Sequence, residues 1–254
     1  MKFDTYIPGD ILKPFIRILA ISESANAGSY KVLPGTELVI GFQYKGSLSY
    51  SADDKSIPLS SFGLTGLTDQ FRIFSNSADT GSVLVFFKEG AAARFFRQPI
   101  HELFRESVSL DNFMLRSELL ILEEKLQASK TDPEKISIVE NFLISKLNSN
   151  LPDLLVMSAI SMIYKSKGNI RIKELLNELH ISQSALEKRF RQVVGASPKK
   201  FASIVRLKNT ISSYNRNKSL TDLGYEAGFY DQAHFIKEFK HFTGDSPETF
   251  FRTS

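Results

Sequence analysis

The chain has no cysteine and only four histidines. Without cysteine there can be no disulfide, thiol nucleophile or thiolate metal ligand. Histidine-rich metal binding is not expected in the strand-like region over residues 30–88, which holds no histidine. A phosphate-binding loop is also missing, since no GxxxxGK[ST] spacing occurs, and no Ser/His/Asp set is recognisable. The sequence therefore predicts a protein that is not an enzyme, with no catalytic residues, metal or cofactor. The histidines are His101, His180, His234 and His241.

Long apolar runs are absent as well. No segment approaches the roughly 18 residues that a membrane-spanning helix needs. The first residues, Met1 to Asp4, lack the charged-then-apolar layout of a signal peptide. We therefore expect no membrane partner and a cytoplasmic location. With 254 residues, 42% hydrophobic and 24% charged, the chain is long enough for two modest globular domains.

Charge is distributed unevenly between the two parts of the chain. Residues 1–150 hold 16 Lys and Arg against 18 Asp and Glu, a net charge of −2. Residues 151–254 hold 16 against 10, a net charge of +6. A basic module behind a near-neutral one suggests a polyanionic partner for the basic part, although a solvated basic surface has the same composition.

Residues 30–88 contain short segments rich in aromatic and β-branched residues, separated by turn formers. This pattern predicts a small antiparallel sheet or barrel. We expect hairpin turns at residues 44–47 and 51–54, where Gly, Asp and Ser interrupt the pattern. The predicted strands include residues 38–44, 47–51, 71–74 and 82–87.

After about residue 90 the apolar spacing changes to the helical period. Asp132 is expected to cap the last helix of this region, with Pro133 in its first turn. A leucine stripe on the middle helix is predicted to be core or a dimer seam. The stripe consists of Leu115, Leu119, Leu122 and Leu126, and the helices span residues 91–96, 115–128 and 134–147.

A domain joint is expected at residues 148–150, just before Pro152. We therefore predict an α+β protein. Residues 1–150 would form a small antiparallel β domain with flanking helices, which senses or dimerises. Residues 151–254 would form an all-α domain of about seven helices.

One block of the C-terminal hundred residues occurs twice, 49 positions apart: residues 181–201 align with residues 230–250 without a gap. A repeat that keeps its caps, apolar positions and basic positions is one structural unit used twice, and two copies are too few for a solenoid. The matched positions are Gln183 with Gln232, Lys188 with Lys237, Phe190 with Phe239, Gly195 with Gly244, Ser197-Pro198 with Ser246-Pro247, and Phe201 with Phe250.

Each copy predicts a short helix, a tight turn and a second helix of about three turns, which is the helix-turn-helix plan. Ser182 and Asp231 are the expected caps of the second helices, and Gly195 and Gly244 their ends. These helices would span residues 182–194 and 231–243. Their predicted buried positions are Leu186, Phe190 and Val193 in the first copy, and Phe235, Phe239 and Phe242 in the second.

The opposite face of each second helix carries groups that can read base edges or bind phosphates. Amides and hydroxyls can hydrogen-bond to bases, cations can bind guanine or phosphate, and small apolar atoms suit a thymine methyl. Because the two faces differ, we expect an asymmetric target read by one chain. The predicted DNA-binding residues are Ser184, Glu187, Lys188 and Arg191 in the first copy, and Gln232, Ala233, Ile236, Lys237 and Lys240 in the second.

Further motifs accompany the repeat: residues 195–198 (GASP) and Arg206 in the first half, and residues 223–229 (LGYEAGF) and 244–247 (GDSP) in the second. With them, residues 165–252 resemble the DNA-binding domain of the AraC/XylS family of bacterial transcription regulators. The resemblance implies a long connecting helix that holds two recognition helices about one DNA turn apart, roughly 34 Å, so that one chain reads two successive major-groove segments.

Segments of the front half, among them residues 12–16, 30–35 and 85–87, look like a small β-rich sensor-type domain found ahead of this DNA-binding module. That resemblance implies a cupin-like fold or a related barrel. We interpret the chain as a sequence-specific DNA-binding transcription regulator, whose predicted partner is double-stranded DNA. RNA polymerase, a small-molecule effector and a second copy of the chain stay open as further partners.

Two other interpretations of residues 1–150 remain. The first is a metabolite-modifying enzyme domain fused to a DNA tether, against which the lack of histidine or cysteine clusters argues. The second is a dimerisation or partner-docking platform that binds no ligand.

Overall fold

A computed structural model describes residues 1–52, 55–96, 100–149, 151–215 and 218–253. Within these ranges, ten strands come before nine α-helices. The strands are β1 Lys2–Tyr6, β2 Ile16–Ser24, β3 Gly28–Val32, β4 Val39–Lys45, β5 Leu48–Ala52, β6 Lys55–Pro58, β7 Phe62–Thr65, β8 Arg72–Asn76, β9 Thr80–Phe87 and β10 Ser107–Ser109.

Seven of the described α-helices lie after residue 150, as the sequence predicts for the C-terminal part. The helices are α1 Arg116–Ala128, α2 Asp132–Lys146, α3 Leu154–Lys165, α4 Ile172–Glu178, α5 Gln183–Val194, α6 Pro198–Ser213, α7 Leu220–Glu226, α8 Gln232–Thr243 and α9 Pro247–Thr253. None of the helices in the described ranges is long and apolar enough to cross a membrane.

The strands form two antiparallel sheets. One has six strands in the order β1-β2-β9-β4-β7-β10, and the other has four in the order β3-β8-β5-β6. The predicted N-terminal antiparallel β region is therefore confirmed. Within the predicted region, residues 44–47 are not a hairpin turn as expected, because they connect β4 of the first sheet to β5 of the second. The turn expected at 51–54 joins the paired strands β5 and β6, but residues 53 and 54 lie outside the described ranges.

Some strands were not predicted, and their sequences explain why. Strand β1 is exposed over its three central residues, so it lacks the apolar alternation of a half-buried strand. Strand β10 is only three residues long and lies between short 3₁₀ helices at Ile100–Leu103 and Leu110–Asn112. The helix expected at residues 91–96 is a 3₁₀ helix at Ala91–Arg94. Short elements carry too few residues for their period to be read.

Helix α2 begins at Asp132, which was predicted to be its N-cap and not its first residue. The N-cap is Thr131 and not Asp132, because the Thr131 hydroxyl accepts from the Glu134 backbone N–H at 3.4 Å. The Glu134 carboxylate accepts in return from the Thr131 N–H at 3.2 Å. This reciprocal pair is a capping box, which Asp132 in the first turn cannot form.

The predicted leucine stripe of α1 is mostly core. Leu119, Leu122 and Leu126 are buried and belong to the main hydrophobic cluster of the protein. Leu115 differs from the prediction, since it is the N-cap residue of α1 and its side chain is 68% exposed.

Two hydrophobic cores are present in the described residues, and helix α6 contributes to both. The larger core runs from the sheets through α1–α3 into α5, and it includes Leu186 and Phe190 of the first predicted repeat. The smaller core belongs to the second repeat and includes Phe235 and Phe239. The buried core thus continues across residues 148–150, the predicted joint, of which residue 150 lies outside the described ranges.

Candidate nucleic-acid interface

Helices α4 and α5 form the first helix-turn-helix unit. Ser182 caps α5, and its hydroxyl accepts from the Ala185 N–H at 3.4 Å. The helix ends at Gly195, whose φ of 93° lies in the left-handed region that glycine adopts without steric cost. Both ends of α5 therefore lie within one residue of their predicted positions, because capping depends on neighbouring residues alone.

Helices α7 and α8 repeat this arrangement. Asp231 caps α8 by accepting from the His234 N–H at 2.7 Å, and Gly244 ends the helix with a φ of 82°. The turn between the helices contains Gly228, also at positive φ. A Cβ on Gly228 would lie 2.4 Å from the side-chain oxygen of Asn169, so the turn of the second unit packs closely on the loop before α4.

The inward faces of both second helices agree closely with the sequence. Phe235, Phe239 and Phe242 are buried as predicted, and so are Leu186 and Phe190. Val193 was predicted to be buried but is only half-buried, and the following residue, Val194, takes the core position. The half-buried Val193 instead lies beside Gly90, where an added Cβ would come within 3.2 Å of it.

Eight of the nine predicted DNA-binding side chains are exposed, and Glu187 is half-buried. Lys188, Arg191, Lys237 and Lys240 make no ion pair with any described residue, so these cations face solvent without a protein partner. The carboxylate of Glu187 accepts from the Gln183 side-chain amide at 3.0 Å, one helical turn away. Each unit thus presents a polar, basic strip of its second helix.

One ion pair ties each second helix to a neighbouring helix, at equivalent positions of the repeat. Arg189 of α5 donates to both carboxylate oxygens of Asp153 at 2.8 and 2.9 Å, at the start of α3. Forty-nine positions later, Glu238 of α8 accepts from Arg206 of α6 at 2.7 and 2.8 Å. Burial alone would raise the pKa of Asp153, but the hydrogen bonds from Arg189 outweigh it and lower the pKa.

Sequence reasoning did not assign these pairs, because the partners are 36 and 32 residues apart and the signs of the charges are reversed between the copies. The sequence feature that could have indicated them is a charged residue at the same position of both copies, Arg189 in the first and Glu238 in the second. Arg206 is further enclosed by Phe229, whose ring centroid lies 4.3 Å from the guanidinium carbon. The connecting helix α6 therefore contacts α8 through one half-buried, hydrogen-bonded cation.

A groove of about 840 Å³ lies between the two units. Three exposed cations line it, Arg171 and Lys173 at the start of α4 and Lys199 at the start of α6. Sequence reasoning missed this group because the residues belong to two different helices and lie outside the repeated second helices. Cations at helix starts are suited to binding anionic groups such as phosphates.

A second cavity separates the sheets from α6. It has a volume of about 580 Å³ and is mainly apolar, with Val39 and Phe86 on the sheet side and Leu207 and Ile211 on the helix side. Glu37 also lines this cavity, and it pairs with Arg17 at 3.1 Å and with Lys208 of α6 at 3.2 Å.

Arg72 lines this cavity and is 9% exposed. Its guanidinium donates to the Ser107 hydroxyl at 2.8 Å and to the Arg105 carbonyl, and it stacks 4.7 Å from the Tyr50 ring centroid. No carboxylate among the described residues pairs with it. Burial lowers the pKa of Arg72 from its ordinary value, and this effect outweighs the attraction of Tyr50 and Glu106, which would raise the pKa.

The described residues contain no group of three His, Asp or Glu side chains arranged to hold a metal ion.

The C-terminal region is similar to a known domain family. The family described as "Helix-turn-helix domain" matches residues 175–253, which cover the first unit from within α4 onward and the whole second unit. Over 155 residues the chain is 27% identical to the Msm operon regulatory protein of Streptococcus mutans serotype c. That match covers 59% of this chain and 55% of the relative, so it spans only about half of the relative's length.

Among solved structures, ToxT from Vibrio cholerae O395 aligns over 92% of this chain and 96% of its own, with a TM-score of 0.45 and 16% identity. An unsaturated fatty acid-bound ToxT from V. cholerae aligns over 91% and 93%, with a TM-score of 0.44 and 16% identity. The AraC-like transcriptional activator CuxR aligns over 87% and 89%, with a TM-score of 0.30 and 13% identity.

Proposed function

We propose that the chain is a sequence-specific DNA-binding transcription regulator of the AraC type, from the premise that residues 175–253 match the helix-turn-helix domain family. The observation that carries the proposal is the pair of capped second helices, α5 and α8, each with a buried apolar face and an exposed basic one. Such a helix can enter the major groove and contact base edges. Selecting bound duplexes from a random DNA library tests the proposal, because a specific regulator enriches one sequence.

The nine exposed or half-buried residues of α5 and α8 are proposed to touch DNA, with Lys188 and Lys237 at base edges. The cations of the central groove, Arg171, Lys173 and Lys199, are proposed to bind the phosphates between the two major-groove segments. Phosphate contacts set the register of the protein on DNA, and base contacts decide the sequence. Because the two helix faces differ, the enriched sequence should be asymmetric.

Lys188→Ala and Lys237→Ala should each weaken binding to the enriched site by about 1–3 kcal/mol, the usual discrimination of a good base contact. Lys199→Ala should instead weaken binding to all sequences alike, and it should lower the slope of log K against log salt by about 1. Fluorescence anisotropy titrations at several salt concentrations measure both effects.

The matched control is Lys125→Ala, which removes an exposed lysine from α1 and should leave both affinity and salt slope unchanged. Equal affinity of the Lys188→Ala, Lys237→Ala and wild-type proteins for the enriched site would contradict the assignment of these lysines to the groove.

The cavity between the sheets and α6 is proposed as the effector site, and the proposed effector is an apolar molecule with a carboxylate. The cavity volume lies in the range of small-ligand sites, and its walls are mainly apolar. A buried cation without a carboxylate partner is costly unless an anion joins it, and Arg72 is such a cation. A ligand carboxylate at Arg72 would supply the missing charge.

Decanoate is a suitable probe, with decanol as its neutral counterpart. Decanoate should raise the thermal midpoint of the protein, since a ligand at 100 times its Kd adds about 2.7 kcal/mol to the stability of the folded state. Decanol should give a much smaller rise. Arg72→Met should remove the difference between the two probes, whereas Arg72→Lys should preserve it. An equal response of the wild-type protein to decanoate and decanol would argue against a carboxylate site.

The remaining assignments are proposals of the same kind. We propose a sensor and dimerisation part over residues 1–150 and a DNA-binding part over residues 151–254, working in the bacterial cytoplasm, without catalytic activity. A second copy of the chain is a proposed partner because α1 exposes Leu120 and Ile121 to solvent at 49% and 53%. RNA polymerase is a proposed partner only through the regulatory function.

A further inference from the structure

The N-terminal part holds the C-terminal end of α8 directly. Lys31 of β3 donates to the backbone carbonyl of Thr243 at 3.0 Å and to the carboxylate of Asp245 at 2.5 Å. A cation at the C-terminal end of a helix is favourable because the last carbonyls carry partial negative charge. These contacts join residues more than 200 positions apart in the chain.

Phe71 completes this contact. Its ring centroid lies 4.9 Å from the Lys31 ammonium, and its edge packs on Gly244, the residue that ends α8. A Cβ on Gly244 would lie 2.6 Å from the Phe71 ring, and the φ of 82° is itself strained for other residues. Gly244 therefore has a second role besides ending the helix, since it allows the sheet to approach α8.

Asp69 holds the start of α6 in a similar way. Its buried carboxylate accepts from Arg105 at 2.5 Å and from Lys200 in the first turn of α6. His241 of α8 lies 4.0 Å away on the same side. Burial alone would raise the pKa of Asp69, but the hydrogen bonds from Arg105 and Lys200 outweigh it and keep the carboxylate charged.

The same short stretch of sheet also lines the cavity next to α6. Lys31 pairs with Ile73 and Val32 with Arg72 across β3 and β8. Because neighbouring side chains point to opposite faces of a strand, Val32 and Arg72 line the cavity while Lys31 and Phe71 contact α8 and its end. We call Lys31, Val32, Asp69, Phe71 and Arg72 the shared wall.

We propose that Lys31, Asp69 and Phe71 of the shared wall are positioning residues for the second recognition helix. They fix the end of α8 and the start of α6 against the sheet, and thereby set the orientation in which α8 meets DNA. The proposal rests on the proposed function for α8 but concerns residues outside the helix-turn-helix domain. The shared wall also connects the cavity with α8. Val32 and Arg72 line the cavity, and their chain neighbours Lys31 and Phe71 contact the end of α8 from the opposite face.

Hydrogen exchange of the free protein tests the positioning without DNA. In Lys31→Ala, amides of residues 232–246 should exchange about five-fold faster or more, the lower end of typical coupling between sites. Amides of residues 183–196 should exchange at the wild-type rate. Asp245→Asn removes the same ion pair from the α8 side and should give the same pattern. The control Lys55→Ala removes an exposed lysine from β6, at the far edge of the same sheet, and should change neither region.

DNA binding supplies the second readout. The library-selected site is compared with a probe in which only the segment read by α8 is scrambled. Lys31→Ala should change the affinity for the intact site by about five-fold or more and leave the affinity for the scrambled probe unchanged. Lys31→Arg, which keeps the cation, should stay within about two-fold of wild type on both probes.

Unchanged exchange over residues 232–246 in both variants would overturn the proposal, and so would equal affinity changes on both probes. If the wild-type protein selected no DNA sequence, the proposed function would fail, while the exchange experiment would still decide whether the shared wall positions α8.

Discussion

Phe239→Ala should unfold the second helix-turn-helix unit and leave the rest of the protein folded. The Phe239 side chain is 2% exposed and packs on Phe235, Phe250 and Phe251, with ring centroids 5.7, 5.4 and 5.5 Å away. Removing a buried phenylalanine costs about 3–5 kcal/mol. Among the described residues, the smaller core contains seven that are buried and hydrophobic, so few other contacts can compensate. Hydrogen exchange should show the loss of protection confined to residues 220–253.

Phe190→Ala is the matched control, because Phe190 occupies the equivalent position of the first repeat. This ring lies in the larger core, 5.5 Å from Phe201, and that core extends into the sheets. We expect a similar loss of about 3–5 kcal/mol, but spread over the cooperative unfolding of the sheets and the first unit. If both variants lost protection over the same residues, the division into two cores would be wrong.

Glu238→Ala should destabilise the second unit by about 3 kcal/mol, the lower end for breaking a buried ion pair. The pair is about four-fifths buried, with exposed side-chain fractions of 19% for Arg206 and 17% for Glu238. Without Glu238, the Arg206 guanidinium stays between α6, α8 and the Phe229 ring with no carboxylate partner. Desolvation of that lone charge is the main cost. Urea denaturation followed by circular dichroism measures the change.

The double variant Arg206→Met with Glu238→Leu distinguishes the effect of the charges from the effect of side-chain packing. Replacing both charges by apolar side chains of similar volume should recover most of the lost stability, because no buried charge remains. DNA binding should then report whether the ion pair is needed to orient α8. Equal stability of the single and the double variants would contradict the assignment of the loss to an uncompensated charge. His234→Ala serves as the control, since His234 contacts the same carboxylate at 3.5 Å but is 56% exposed.

Much of the candidate interface could be predicted from the sequence. Helices α5 and α8 begin after Ser182 and Asp231 and end at Gly195 and Gly244, as predicted. These ends are predictable because capping and left-handed backbone depend on a few neighbouring residues. The exposed and buried faces of α5 and α8 follow from the helical period, apart from Glu187 and Val193, which are both half-buried. Val193 lies in the last turn of α5, where contact with the segment around Gly90 decides which side chain is covered.

The ion pairs of α5 and α8 could not be predicted in the same way. Arg189 and Glu238 occupy the same position of the repeat but carry opposite charges. The repeat therefore does not predict one type of ion-pair partner for this position. Their partners, Asp153 and Arg206, come from different helices. Charge pairing of this kind depends on how helices cross, which no local pattern encodes.

The sequence by itself determined the two units, their caps and the face that each presents, because these properties depend on residues within a few helical turns. Only the tertiary structure decided which core each unit packs into and which remote residues contact it. It joined the first unit to the core of the sheets, left the second with a small core of its own, and brought Lys31 to the end of α8. The physical reason is distance along the chain: packing between remote segments depends on the whole fold, and the cavity beside α6 exists only where sheet and helix meet.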